Sequence, residues 1–231
     1  MSLQIAENRR AYAPGVSPLA VKPAPKFMLI DVGRLEGDYF ARWRGLSDPS
    51  QMVSFGTGGH RGSPINGAFT EAYILAITQA ICDYRRANGP DGPLCLGKDT
   101  HAVSKPTLQT APEVLAANAE ETLIQRDNGY TPTPAISRAT FAYNPGHKAH
   151  FADGIAIARS HNTPNDGGFK YNPPNGGPAD TDVTQWVENR ADELPRGRNA
   201  VVKRMPFASA VNRPTAYQET FFCHMSATCE T

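Results

Sequence analysis

The chain has no dominant charge, no long apolar run and no cysteine spacing of the metal-binding kind. Its 23 basic residues are nearly matched by 22 acidic ones. No global field therefore directs it to nucleic acid or to an anionic membrane surface. No apolar stretch approaches the roughly 20 residues that a bilayer-spanning helix needs. The first 30 residues lack the basic, apolar and small-residue blocks of a signal peptide. The four cysteines (Cys82, Cys95, Cys223 and Cys229) read as reduced thiols. Together these absences lead us to expect a cytoplasmic protein without membrane or nucleic-acid partners. The sequence contains no Walker loop and no G-x-G-x-x-G, so nucleotide binding has no specific support. It has no G-x-S-x-G, which excludes the usual nucleophile elbow. No Asp, Glu and His residues cluster at metal-ligand spacing, so most ligands of any acting cation must come from elsewhere.

What is present is an alternation of short apolar runs and amphipathic stretches. Residues 1–27, with four prolines, are expected to form a loose arm. Helical spacing falls on 28–44, on 70–88 up to Gly89, and on 104–119. Two further helices are predicted, one over 134–143 with Pro134 in its first turn and one capped by Asp180 or Thr181 and ending near Leu194. Strands are predicted at 52–55, 93–97, 122–125 and 155–158. This order implies an α/β fold, a layered, mostly parallel mixed sheet with helices on both faces. From about residue 205 to Thr231 no period is visible. That segment reads as the start of a second domain or as a non-native tail.

Ser160 is the leading candidate for chemistry. The run Ile155 to Ala158 delivers it to a loop rich in Pro, Asn, Asp and Gly, at a strand end, where α/β sheets usually hold their sites. His161 and Asn162 follow at once, and Lys170 comes ten residues later, behind the pair Gly167-Gly168. His161 could serve as a base for Ser160, although adjacent residues on an extended chain point opposite ways. It reads better as a loop-orienting or substrate-contacting group. The Gly167-Gly168 pair would be a flexible link that folds Lys170 back toward Ser160. A second constellation is Gly56-Thr57-Gly58-Gly59-His60-Arg61-Gly62. Its glycines allow backbone N–H groups to approach an anion closely, and Arg61 adds a bidentate phosphate donor. Asp99 and His101, on the loop after the 93–97 strand, could reach the same cleft or simply cap the helix that starts at Ser104.

Taken together, these segments resemble the α-D-phosphohexomutases, most closely the bacterial phosphoglucomutases. The resemblance rests on Phe55 to Gly62, Gly97 to His101 with Ser104, Asn128 to Pro134, Ser160-His161-Asn162, and Asp166 to Asp180. It spans roughly residues 28 to 204 and implies the fold of the family's first domain. It also implies a phosphoserine at Ser160 that passes its phosphoryl group to a hexose monophosphate and takes one back from the other position. Glucose 1,6-bisphosphate would be the intermediate or activator. A Mg²⁺ ion would touch the phosphate on Ser160, with its main ligands in a second domain that this chain does not match. Thr57, Gly58, Gly59 and Arg61 correspond to the phosphate-binding loop. Lys170 corresponds to an acid/base or substrate-contacting lysine. The segment Asn172 to Asp180 favours glucose over mannose or glucosamine phosphates.

Two departures stand beside the serine. Ala158-Arg159 precedes it where the family usually has Thr followed by a small residue or Pro, and Thr163 takes the place of the usual proline, with Pro164 one step on. Only the first of the family's four domains is matched. The chain is therefore expected to be inactive alone, unless another chain supplies the remaining domains. The contrasting expectation is a non-catalytic remnant that binds a sugar phosphate or a protein partner.

Overall fold

The computed structural model of the chain describes residues 19–43, 52–56, 58–159, 162–194 and 199–221. Two compact units are present, Met1–Asp31 and Val32–Thr231. Within the first, the described part holds one 3-10 turn, Lys26–Met28.

The second unit is built on six strands: β1 (His60–Gly62), β2 (Leu94–Lys98), β3 (Thr122–Gln125), β4 (Asp153–Ile157), β5 (Gly167–Asn172) and β6 (Ala216–Glu219). Their order across the sheet is β1-β5-β4-β2-β3-β6. β4, β2, β3 and β6 run parallel, while β5 and then β1 add antiparallel to one side. The expected mixed, mostly parallel α/β sheet is thus observed. The helices are α1 (Val32–Ala41), α2 (Glu71–Asn88), α3 (Ser104–Ala117), α4 (Thr133–Tyr143), α5 (Thr181–Glu193) and the single turn α6 (Phe207–Ala210).

Local chemistry accounts for most element ends. Gly89 closes α2 in the left-handed region at φ 101°, and its N–H donates to the Arg85 carbonyl. Pro134 sits in the first turn of α4, where its missing N–H is no loss. Asp180 stands at the N-cap of α5 but makes no side-chain cap there. Helix α2 packs against both α3 and α5. Of the stripe expected from the spacing, Tyr73, Ile74, Ile77, Ile81 and Tyr84, all but the half-buried Tyr84 are buried, and burial extends beyond it to Thr78, Gln79 and Cys82. The buried Gln79 amide is satisfied by Asp83 and Asn118.

Helix α4 covers the other face. Ile136 lies over Gly97 and Gly154, where an added Cβ would come within 2.7 Å of its side chain. The two glycines let this helix approach the sheet closely. Cys95, Ala135, Ile136, Ala139, Ala156 and Phe221 form the core there. Burying a side chain such as Ile136 contributes about 1.5–3 kcal/mol relative to leaving it exposed.

Several elements differ from expectation. Residues 52–55 form no strand. The N–H groups of Val53 and Phe55 donate to the carboxylates of Asp192 and Glu188 on α5, so this apolar stretch hangs on a helix instead of a ladder. β1 and β5 occupy glycine-rich stretches read as loop. Within 205–231, β6 pairs with β3 and Phe221 enters the core, while 222–231 lie outside the described residues. Residues 1–18 of the expected arm also lie outside them.

Candidate functional site

The site forms where β2 and β4 end and β5 begins. β4 delivers Ala158 and Arg159 to the sheet edge, immediately before Ser160. Ser160, His161 and Thr57 lie outside the described residues, so the site is defined by what flanks them.

Lys170 is on a strand. It pairs with Ala156 in the β4–β5 ladder, so the glycine pair before it is part of an ordered antiparallel edge and not the flexible link expected. Gly167 and Gly168 have a packing reason. A Cβ on Gly168 would lie 2.3 Å from the carbonyl oxygen of Ala158, and one on Gly167 would meet Phe69 and Val103 at 2.7 Å. Arg61, on β1, pairs with Gly168. Residues two apart on a strand share a face, which puts Arg61 and Lys170 on the same side of the sheet.

Among the described residues neither cation forms an ion pair, and the buried Nε of Arg61 finds no hydrogen-bond partner. Burial first, and then the charge of Arg61, lowers the pKa of Lys170 from the ordinary lysine value, with Asp99 pulling the other way. Two adjacent cations without a carboxylate partner make a local excess of positive potential suited to a phosphate.

The glycine segment supports this pair. Gly56 and Gly58 take left-handed φ values of 47° and 98°, and the Gly59 N–H donates to the Phe55 carbonyl at 2.6 Å. Gly59 has no room for a side chain, because a Cβ would fall 2.5 Å from Cγ of Lys170. The loop backbone thus rests directly on the lysine stem. His60 is structural: it is stacked on Phe69 and Tyr73, accepts from the Ser54 N–H and donates to the Ala68 carbonyl.

The end of β2 contributes Lys98, and the loop after it contributes Asp99. Lys98 is 3% exposed and donates to the carbonyls of Asn128 and Gly129 at 2.6 and 3.2 Å, with its ammonium 4.4 Å from the centre of the Tyr130 ring. Burial lowers its pKa, Lys105 adds to the effect, and Asp99 opposes it. Asp99 does not cap a backbone N–H of α3, whose N-cap is Val103, but ties the loop to its first residue, accepting from the Ser104 hydroxyl at 2.6 Å and from the His101 N–H at 2.9 Å. It also reaches the β4 exit, accepting from the Arg159 N–H at 3.1 Å. That second role was not legible, because the two residues are 60 apart in sequence. Thr131 is buried with its N–H on the Lys98 carbonyl and shapes the rim of the site.

A separate cleft of about 240 Å³ lies between α3, β3, α6 and β6, lined by Leu108, Pro112, Ile124, Phe207 and Tyr217 among others. It contains neither Arg61 nor Lys170 and so lies apart from the cationic pair. Among the described residues no three His, Cys, Asp or Glu side chains come together to hold a metal ion. These residues therefore do not form a protein cage for Mg²⁺.

Fold and site together define an α/β domain with a cationic edge where its central strands end. Residues 52–197 match the family model "Phosphoglucomutase/phosphomannomutase, alpha/beta/alpha domain I", and the chain belongs to that family. It is 46% identical over 208 residues to a phosphoglucomutase of Komagataeibacter xylinus, covering 90% of this chain and 38% of that protein. A phosphoglucomutase of Schizosaccharomyces pombe is 33% identical over 118 residues, covering 50% of this chain and 20% of that one. The chain thus spans well under half the length of these relatives. Among solved structures, a putative phosphomannomutase from Thermus thermophilus superposes with a TM-score of 0.53 at 21% identity, covering 73% of this chain and 32% of its own. The open form of Paramecium parafusin superposes with a TM-score of 0.52 at 24% identity, covering 60% and 25%. At these identities the structures support the fold.

Proposed function

We propose that this chain carries the phosphoryl-bearing serine of an enzyme that interconverts glucose 1-phosphate and glucose 6-phosphate. The observation that carries this reading is the pair Arg61 and Lys170, charged and without a carboxylate partner among the described residues, at the edge where the Ser160 segment begins. The Komagataeibacter relative, a phosphoglucomutase by name, supports glucose over other hexoses.

In this reading a sugar hydroxyl oxygen attacks the phosphorus of phosphorylated Ser160. The bond from phosphorus to Oγ breaks, a new bond to the sugar oxygen forms, and the hydroxyl proton passes to a base. The bisphosphate turns over, and Oγ of Ser160 attacks its other phosphate. The sugar oxygen that is released recovers a proton, so atoms and charge balance over the cycle. Arg61 and the Gly58 N–H, with Thr57, hold phosphate oxygens and stabilise the charge on the transferring group, whereas the Gly59 N–H is already committed to the Phe55 carbonyl and Gly59 serves the loop by its close approach to Lys170. Lys170, with its lowered pKa, exchanges a proton with the sugar oxygen more readily than an ordinary lysine would. His161 orients the loop or touches the sugar. We derive no step through Mg²⁺, for which the described residues offer no set of ligands.

Residues 28–204 form the first domain in this reading, and the remaining groups of the active site come from parts of the enzyme that this chain does not match. Steady-state turnover by the chain alone is therefore expected to be negligible. We place the protein in the cytoplasm; no helix among the described residues is long and apolar enough to cross a membrane. Calorimetric titration with glucose 1,6-bisphosphate tests the proposal. The wild-type chain should bind, and an Arg61→Met/Lys170→Met double variant should bind at least tenfold more weakly. Equal affinity in the two proteins would refute the phosphate site. No binding by the wild type would leave a non-catalytic remnant as the better reading.

A further inference from the structure

Asp99 and His101 reach from the loop after β2 to both ends of the segment that contains Ser160. At the near end, the Arg159 N–H donates to Oδ2 of Asp99 at 3.1 Å, and the Asp99 N–H donates to the Ile157 carbonyl at 2.9 Å. At the far end, Nε2 of His101 lies 2.7 Å from the Pro164 carbonyl oxygen. A carbonyl only accepts, so Nε2 carries the proton. The two holders are joined to each other. Oδ1 of Asp99 accepts from the His101 N–H at 2.9 Å and from the Ser104 hydroxyl at 2.6 Å, which ties the arrangement to the first turn of α3. Within the segment, Arg159 Nη1 also points to the Thr163 carbonyl, at 3.4 Å.

We propose that Asp99 and His101 are positioning residues that hold the β4–β5 connection at two points, Arg159 and Pro164, and so fix where the chain leaves for and returns from Ser160. The proposal rests on the reading of Ser160 as the phosphoryl carrier. The residue types suit the task. Only a carboxylate can accept on both oxygens from N–H and O–H donors arriving from two directions. Asparagine would turn an NH₂ group toward one of those donors. At position 101 the reach of a ring Nε2 is needed, and glutamine, whose Nε2 sits similarly far out, can replace it. Small misplacements of a reacting group reduce rates by as much as about a hundredfold, so a two-point hold matters for a loop whose residues 159 and 163 depart from the family pattern.

The test is hydrogen–deuterium exchange on the full chain for the wild type, Asp99→Asn, His101→Phe and His101→Gln. Exchange in peptides covering 158–166 should rise by roughly tenfold or more in Asp99→Asn and His101→Phe, the scale of one charge-assisted or buried hydrogen bond. His101→Gln should stay near the wild type, a rescue that a generic packing role would not produce. Unchanged exchange in both disruptive variants would overturn the clamp. So would a rise in His101→Gln equal to that in His101→Phe. If Asp99→Asn fails to fold, the two His101 variants still decide. Titration of the same proteins with glucose 1,6-bisphosphate separates the two readings. Wild-type failure to bind refutes the phosphate site, and the exchange pattern judges the clamp independently.

Discussion

Replacing Arg85 with methionine should destabilise the domain by several kcal/mol, and by more at neutral than at acidic pH. Arg85 is 2% exposed and sits in the last turn of α2. Its guanidinium donates to the carboxylate of Asp153, which is fully buried at the start of β4. It also donates to Glu120 just before β3, at 2.8 Å, and to the Gly92 carbonyl before β2, at 2.6 Å. Three parallel strands are thus pinned at the end opposite the phosphate site. The Asp153–Arg85 pair dominates the cost. Breaking a buried pair from one side costs about 3–5 kcal/mol, because it leaves an uncompensated charge. Glu120 is 14% exposed, is reached by water and adds at most about 1 kcal/mol.

Burial already raises the pKa of Asp153 above the ordinary carboxylate value, while the charge of Arg85 and the Tyr171 hydroxyl bond pull it down. Removing the guanidinium raises it further. A raised carboxyl pKa in the folded state favours folding below the unfolded value, and that advantage is lost as pH climbs through the folded value. The penalty in Arg85→Met should therefore be smallest near pH 4 and grow toward pH 8. Urea unfolding followed by circular dichroism is the assay. With a slope of about 1–3 kcal/mol per M, the midpoint at pH 8 should fall by roughly 1 M or more. Adding Asp153→Asn should restore part of the loss, since it neutralises the stranded charge. A pH-independent loss, or one below about 1 kcal/mol, would refute the reasoning.

Three further outcomes are expected. The affinity of the wild-type chain for glucose 1,6-bisphosphate should fall between pH 7 and pH 10, because Lys170 loses its proton earlier than an ordinary lysine while the phosphates remain doubly charged. Lys170→Met should bind more weakly at pH 7 with a flatter profile, and parallel profiles would contradict this. Gly168→Ala should lower stability by about 1–3 kcal/mol in urea unfolding, since the new methyl meets the Ala158 carbonyl at 2.3 Å; a variant as stable as the wild type would mean that β5 shifts freely. Burial raises the Cys95 thiol to about 12 and Cys82 well above its usual value. Peptide mass spectrometry should find both unmodified by iodoacetamide at pH 8 until the chain is denatured, and labelling at the rate of free cysteine would overturn their buried placement.

The parts of the fold legible in the sequence were those whose apolar pattern matched a single environment. β3 was read at its full extent, and β2, β4 and α2 to α5 within a few residues, because burial on a sheet or beneath a helix leaves a periodic signal. β1 and β5 were not read. Their glycines serve close approach to Ala68, Ala158 and Phe69, and a glycine required by packing looks in sequence like one required by a turn. Residues 52–55 misled for the opposite reason, having strand composition while their N–H groups go to Asp192 and Glu188. For the site, Arg61 and Lys170 were legible from motif and charge. Their common face was not, since it depends on β1 pairing with β5 across more than a hundred residues of chain. Lys98 was read only as part of the loop after the 93–97 strand and given no role, because nothing in the sequence signals that it ends β2 with the carbonyls of Asn128 and Gly129 around its ammonium.

The antiparallel placement of β5 beside β4 has a consequence for how this protein can change over time. The serine-bearing connection is a hairpin, with its two ends held as neighbours by the strand ladder itself. A parallel crossover would instead make the connection responsible for the architecture, and each substitution in it would be felt by the sheet. Here the ladder itself provides closure, so the pairing of β4 with β5 does not depend on the residues between the ends. Arg159 and Thr163 both lie between those ends, and the ladder forms with both in place. Sequence drift in this loop can therefore retune chemistry while leaving the strand pairing untouched.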